Sequence, residues 1–170
     1  MKDNDLLQAG ELAGASVHGQ VVPRPQILVV DEDSDLRKLY AEVLTRSGYR
    51  VHAVEDGAAG WKALKASSYS LLITEHNLPV LTGVELVKMV RAARLALPVI
   101  MAAEQLPTHA LARYPSLQLA AILPKPFYLS ELLETVRTVL RATGHSSEKF
   151  IPLPNRRSQP SAIGLKLRAP

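Results

Sequence analysis

A chain of 170 residues in which 47% are hydrophobic can form one domain and leave short tails. Disulfides and thiolate metal sites are excluded because the chain contains no cysteine. The formal net charge of +4 lies entirely after Gly144, where five Lys and Arg residues stand against one Glu. The rest of the chain is therefore neutral, and its charge does not indicate a nucleic-acid-binding domain.

Two features of the sequence bear on the location of the protein. No run of about 18 apolar residues is present, so we expect no transmembrane helix. The acidic N-terminal stretch, residues 1–5, lacks the apolar core of an export signal. We therefore expect a cytoplasmic protein.

The two ends of the chain differ from its middle in composition. Residues 1–25 contain three glycines and two prolines with little apolar pattern, and we expect a flexible leader. Residues 145–170 mix proline, basic and isolated apolar side chains without a period, which is typical of a disordered tail. Two interpretations of this tail stay open, a solvated extension and a docking peptide.

Between these ends, apolar runs typical of strands alternate with helical patterns. The predicted strands are residues 26–30, 49–54, 71–75, 98–102 and 120–123. The first helix is capped by Asp33 or Ser34 and is ended by Gly48. Its predicted buried stripe consists of Leu36, Leu39, Tyr40, Val43 and Leu44.

Four more helices are predicted after the first. The second covers residues 58–66 and the third begins at Val84, whereas the fourth, between Pro107 and Pro115, has the weakest pattern. The last helix is closed by Gly144. The residues expected to be buried on these helices are Trp61, Leu64, Leu86, Val87, Val90, Leu132, Leu133, Val136 and Leu140.

The unbroken alternation of strand and helix predicts the fold class. Buried strands joined by helices imply right-handed crossovers and a parallel sheet that is covered on both faces. We predict a single α/β domain over residues 26–144, with a doubly wound, flavodoxin-like sheet of five parallel strands in the order 2-1-3-4-5.

Three charged segments follow strands of this predicted sheet. Asp31 and Glu32 follow the first strand, Glu75 ends the third, and Lys125 follows the fifth. Because the carboxyl ends of parallel strands lie on one edge, these groups can share a crevice at the point where the strand order reverses. Taken alone, Glu75 could equally be a solvated residue at the end of a strand.

With these segments in view, the sequence resembles the receiver domains of two-component response regulators. The matching segments are residues 27–33 (ILVVDED), 75–79 (EHNLP) with Gly83, 98–101 (PVIM) and 125–127 (KPF). They occur in order and at compatible spacing over the whole predicted domain, and neither tail takes part.

The resemblance implies a phosphorylation site at the strand ends. In this family an aspartate after the third strand receives a phosphoryl group from a histidine kinase, beside a divalent cation, usually Mg²⁺. The resemblance assigns the metal to Asp31, Glu32, the residue at position 75 and the carbonyl of Asn77. It assigns the phosphoryl contact to Lys125, and the peptide bond after that lysine is expected to be cis.

Three positions depart from the family pattern. The phosphoacceptor position holds Glu75, the hydroxyl position after the fourth strand holds Ala103, and the aromatic switch position holds Ile122. We therefore expect the phosphorylation switch to be lost or rewired, with weakened Mg²⁺ binding. His76 is an alternative phosphoacceptor in principle, but we expect its side chain to point to solvent.

Three functions follow, in order of preference. The first is a stand-alone pseudo-receiver without enzymatic activity, which binds a histidine kinase or a downstream signalling protein and can dimerise through the predicted fourth helix, fifth strand and fifth helix. The second is a conventional receiver that is phosphorylated in the presence of Mg²⁺. The third is a nucleic-acid binder that uses the basic tail, although no helix-turn-helix pattern follows Gly144.

Overall fold

Five parallel strands form one sheet in the computed structural model, which describes residues 24–104 and 112–144. The strands are β1 (Gln26–Val30), β2 (Arg50–Val54), β3 (Leu71–Glu75), β4 (Val99–Ala103) and β5 (Ala121–Pro124). Their order is β2-β1-β3-β4-β5, which confirms the predicted order 2-1-3-4-5. In this register Val30 lies beside Thr74, and Glu75 lies beside Ala102.

Four α-helices and one short 3-10 helix connect and follow these strands in the described part of the chain. They are α1 (Ser34–Arg46), α2 (Gly57–Ala66), α3 (Gly83–Ala92), the 3-10 helix Pro115–Leu117 and α4 (Leu129–Ala142). The helix predicted between Pro107 and Pro115 falls largely outside the described residues, as do the predicted tail and nearly all of the predicted leader. No helix in residues 24–104 or 112–144 is long and apolar enough to span a membrane.

The core consists of two layers, one on each face of the sheet. Along β1, Leu28 and Val30 face the layer that holds the buried side chains of α2 and α3, whereas Ile27 and Val29 face the layer of α1 and α4. This division follows from the strand geometry, in which successive side chains point to opposite faces. The apolar run of β1 is continuous because both of its faces are buried.

Several predicted core residues lie at the edges of the buried helix faces, and Leu39 and Trp61 are examples. Leu39 is 38% exposed, and Trp61 is only partly buried, with the ammonium of Lys65 5.9 Å from its ring centroid. Each helical residue advances by about 100° around the axis, so Leu39 lies about 100° away from the buried Tyr40. The buried stripes of α1 and α2 are therefore narrower than the sequence pattern predicted, whereas the three residues predicted for α3 are all buried.

Candidate functional site

A buried lysine joins two carboxylates at the carboxyl edge of the sheet. The Nζ atom of Lys125 lies 2.9 Å from Oε2 of Glu75 and 3.3 Å from Oδ2 of Asp31. The side chains of Lys125, Glu75 and Asp31 are 14%, 11% and 3% exposed, so this crevice is largely closed to solvent. The structure thus brings together the charged groups that follow β1, β3 and β5, as the strand order requires.

The loop after β1 holds Asp31 in a fixed orientation. Its Oδ1 atom accepts a hydrogen bond of 2.9 Å from the backbone N–H of Asp33, which in turn caps α1. The Arg37 guanidinium donates to the backbone oxygens of Asp31 and Glu32, at 2.7 Å each. One side chain of α1 therefore fixes the loop that carries the acid pair, and sequence reasoning missed it because its partners are backbone atoms.

Lys125 is positioned by its own backbone. Its N–H donates to the oxygen of Ala103 at 2.8 Å, and its peptide bond to Pro126 is cis, as expected. Beside it, the buried ring of Tyr40 stacks on Phe127 with centroids 5.9 Å apart, and both rings line an open cleft of about 410 Å³. The lysine thus lines the same cleft as these two rings, while its ammonium contacts the two acids.

The pKa values of Glu75 and Lys125 depend on their burial, on each other and on the charge of Asp31. Burial raises the pKa of Glu75, and the charge of Asp31 adds to this, while the hydrogen bond from Lys125 opposes it. Burial alone would lower the pKa of Lys125, but its hydrogen bond to Glu75 and the two carboxylate charges together raise that pKa. The ammonium is therefore charged at neutral pH and acts as the counter-ion of both acids.

The carboxylates predicted to bind Mg²⁺ do not form a group of three. The side chain of Glu32 is exposed, whereas those of Asp31 and Glu75 both contact the ammonium of Lys125. Within residues 24–104 and 112–144, no three Asp, Glu or His side chains are close enough to share an ion. The assignment of Mg²⁺ to these residues therefore stays a prediction, and the contacts observed in the crevice are those of Asp31 and Glu75 with an internal ammonium.

The two remaining predicted site residues contribute no polar group. Ala103 ends β4 and is 1% exposed, so its methyl group occupies a position that water cannot reach. Ile122 lies in β5 and is partly buried. Neither side chain can donate or accept a hydrogen bond, so the crevice has no hydroxyl at the first position and no aromatic ring at the second.

Comparison with known proteins identifies the family to which the chain belongs. The family model described as "Response regulator receiver domain" matches residues 27–137. The chain belongs to that family.

The chain is also similar to two curated proteins and to a solved structure. It is 30% identical over 158 residues to the transcriptional regulatory protein PrrA of Mycobacterium tuberculosis. The matched region covers 86% of this chain and 67% of PrrA. It is 33% identical over 119 residues to the probable transcriptional regulatory protein SilR of Salmonella typhimurium, covering 68% of this chain and 51% of SilR. The solved structure of the chemotaxis response regulator CheY4 of Vibrio cholerae is 27% identical, with a TM-score of 0.64, and covers 69% of this chain and 100% of that one.

His76 of this receiver domain is only partly exposed, and one of its ring nitrogens does not face solvent. The residue is half-buried, and its Nδ1 atom is inaccessible and has no hydrogen-bond partner in the described part of the chain. Its backbone is fixed as well, because its N–H donates to the oxygen of Ala102 at 2.9 Å and its oxygen accepts from Gly83 at 3.0 Å. An enclosed Nδ1 atom is a poor substitute phosphoacceptor.

The loop between β3 and α3 is tightly packed around these residues. A Cβ atom on Gly83 would overlap the backbone oxygen of Glu75, and a Cβ atom on Gly57 would overlap that of Leu81. Within this loop, Val80 has a φ of 65° and is 86% exposed. The N–H of Leu81 donates to the backbone oxygen of Pro79 at 2.6 Å. This is a γ-turn with a β-branched residue in the left-handed region, which is a strained arrangement.

We expect Val80→Gly to stabilise the receiver domain by about 1 kcal/mol, because glycine removes a steric cost of about 1–2 kcal/mol and adds back a smaller entropic one. No packing is lost, since the side chain is exposed. Thermal unfolding should show a melting temperature about 4 °C higher. Val80→Ala is the matched control and should change little, because alanine keeps a Cβ atom. A lower melting temperature for the glycine variant would contradict the strain.

Proposed function

We propose that this receiver domain is a pseudo-receiver, which signals through protein binding in the cytoplasm and has no enzymatic activity of its own. The observation that supports this proposal is the 2.9 Å contact between Lys125 and Glu75. The glutamate, one methylene longer than the usual aspartate, already engages the lysine that would contact a phosphoryl group. The ammonium of Lys125 thus has an acidic partner even without a phosphoryl group.

Three features act together against phosphoryl transfer. The carboxylate of Glu75 is displaced relative to that of an aspartate, and about 1 Å of displacement costs on the order of a hundredfold in rate. Ala103 supplies no hydroxyl, and a preorganised donor to the reacting group is worth about 3 kcal/mol. With Ile122 in place of an aromatic ring, the side-chain movement that the resemblance implies is absent as well.

The remaining parts of the proposal concern metal and partners. Receiver domains of this family exchange signals with histidine kinases and downstream effectors, and we propose that one of these binds this chain irrespective of phosphodonor. A homodimer through the predicted fourth helix, β5 and α4 belongs to the same proposal. Mg²⁺ binds more weakly than in a conventional receiver, since the Lys125 ammonium already compensates Asp31 and Glu75.

Incubation with a small-molecule phosphodonor and Mg²⁺ tests this function. We expect intact-mass measurement to show no gain of a phosphate, under conditions that fully modify a receiver domain with an aspartate at this position. Titration of Mg²⁺ alone should leave the fluorescence of the partly buried Trp61 unchanged at millimolar concentrations. A stable gain of one phosphate, mapped to Glu75 or His76, would favour the conventional receiver instead.

A further inference from the structure

The charged side chains of the domain are separated along the direction of the strands, although the chain before residue 145 is neutral overall. In a parallel sheet each helix runs back from the end of one strand to the start of the next, so helix ends and strand starts share one edge, the amino edge. This edge includes residues 24–25, 43–50, 64–70, 90–98 and 139–144. These segments contain no acidic residue and seven basic ones, which are Arg24, Arg46, Arg50, Lys65, Arg91, Arg94 and Arg141.

The carboxyl edge, which holds the crevice described above, has the opposite charge. Its segments are residues 31–38, 55–57, 75–86, 104 and 125–132, which follow the strands and include the first turns of the helices. They contain ten acidic residues, Asp31, Glu32, Asp33, Asp35, Glu55, Asp56, Glu75, Glu85, Glu104 and Glu131, and three basic ones, Arg37, Lys38 and Lys125. The carboxyl edge is therefore strongly negative, whereas the amino edge is strongly positive.

The dipoles of the helices account for only part of this separation. A helix carries about half a positive charge at its N-terminus and about half a negative charge at its C-terminus, so its first turn favours acids and its last turn favours bases. The four helices together offset about two charges at each edge. Glu42, whose Oε1 atom lies 2.6 Å from Nη2 of Arg46, offsets one more at the amino edge. About four positive charges therefore remain at the amino edge and about five negative charges at the carboxyl edge.

Most of these charged residues are accessible. At the amino edge six of the seven basic residues are exposed, whereas Arg91 is half-buried and donates to four backbone oxygens. At the carboxyl edge Asp31 and Glu75 lie in the crevice and Asp56 is half-buried, whereas the other seven acidic residues are exposed. Because α1 and α4 pack on one face of the sheet and α2 and α3 on the other, the charges of each edge lie on both sides of the sheet. Each edge is therefore a broad charged face.

We propose that the amino edge of one receiver domain docks on the carboxyl edge of a second copy, so that the molecules associate head to tail. The argument is charge complementarity, because each edge finds a surface of opposite charge on another copy of the same chain. This association goes beyond the proposed function and does not depend on the chemistry of Glu75.

The geometry of such an interface has a consequence for its stoichiometry. The interface is heterologous, since each copy contributes a different surface, and a pair of molecules still has one unused edge at each end. Association is therefore open-ended. In contrast, a homodimer through β5 and α4 uses the same surface of both copies and stops at two.

Sedimentation equilibrium of the full chain at two salt concentrations tests this proposal. Exposed charges act over about 30 Å at about 0.01 M salt, but over only about 3 Å at about 1 M. We expect the average mass to rise with protein concentration beyond two copies at low salt, and to fall to that of the monomer at high salt. A mass that stops at two copies would overturn the head-to-tail arrangement, because it indicates a closed pair. Absence of association at low salt, or association that high salt does not weaken, would also overturn it.

Two double variants at exposed positions identify the surfaces in contact. Arg50→Glu with Arg94→Glu disables the amino edge, and Glu32→Lys with Glu55→Lys disables the carboxyl edge. Each should weaken self-association about tenfold, because one exposed charge pair is worth a factor of about two to five. An equal mixture of the two variants should form pairs that do not grow, since one intact edge of each kind is available.

The mixture separates docking from a general loss of stability, because two poorly folded variants would not restore each other's association. Lys62→Glu, in the middle of α2, is the control for net charge and should change the association less than about twofold. A mixture that associates no better than the separate variants would show that the two edges do not contact each other. The residues after Gly144 are the same in every variant, so their charge cannot explain a difference.

Discussion

Replacement of Lys125 by methionine should lower the free energy of unfolding by about 3 kcal/mol. Methionine keeps an apolar stem of similar length, but it leaves the carboxylates of Asp31 and Glu75 in the crevice without a counter-ion. Removal of one partner from a buried ion pair typically costs about 3–5 kcal/mol, and we expect the lower end because the crevice opens to solvent on one side. Chemical denaturation in metal-free buffer measures the change.

Lys38→Met is the matched control for this variant. Its ammonium lies 3.5 Å from Asp35 on the surface of α1, where the two side chains are 78% and 89% exposed. Exposed pairs are worth about 0–1 kcal/mol, so the control should be close to neutral. Equal losses in the two variants would show that the crevice does not depend on Lys125 as a counter-ion.

The pH dependence of the Lys125→Met variant follows from the pKa of Glu75. Burial and the Asp31 charge already raise that pKa above its ordinary value of 4.5, and without Lys125 nothing of comparable strength opposes them. A carboxyl whose folded pKa is raised contributes stability at low pH and loses it as pH rises through the folded pKa. The deficit of the variant should therefore shrink as pH falls from neutral toward 4.5. A deficit that stays constant over this range would contradict the assignment.

The parts of the structure that were predictable share one physical origin. Alternation of apolar runs with helical stripes predicted a parallel sheet, and parallel strands must bring their carboxyl ends to one edge. The meeting of Asp31, Glu75 and Lys125 was predicted from that edge together with the resemblance to receiver domains. No knowledge of side-chain conformations was needed.

The features that the sequence did not predict depend on side-chain and backbone directions, which a pattern of residue types does not contain. Glu32 comes next to Asp31, but it lies at a bend after β1, where its side chain is exposed while that of Asp31 is buried. His76 follows a strand directly, and the burial of its Nδ1 atom depends on packing that the sequence does not show. Arg37 contacts backbone oxygens, so no complementary side chain marks its role. The left-handed backbone at Val80 was hidden because the usual signal for it is a glycine.

Restoring the missing groups should restore phosphorylation, and the order of restoration matters. Glu75→Asp alone should gain little phosphate from a small-molecule donor, because the crevice still lacks a hydroxyl. The pair Glu75→Asp with Ala103→Thr should react about a hundredfold faster than Glu75→Asp, since one preorganised donor is worth about 3 kcal/mol. Glu75→Asp with Ala103→Val is the matched control, because valine has the shape of threonine without its hydroxyl. Intact-mass measurement against time gives the rates in each case. Equal rates for the threonine and valine variants would show that the buried methyl of Ala103 is not what disables the site, and phosphorylation of the unaltered protein at a comparable rate would remove the basis for calling it a pseudo-receiver.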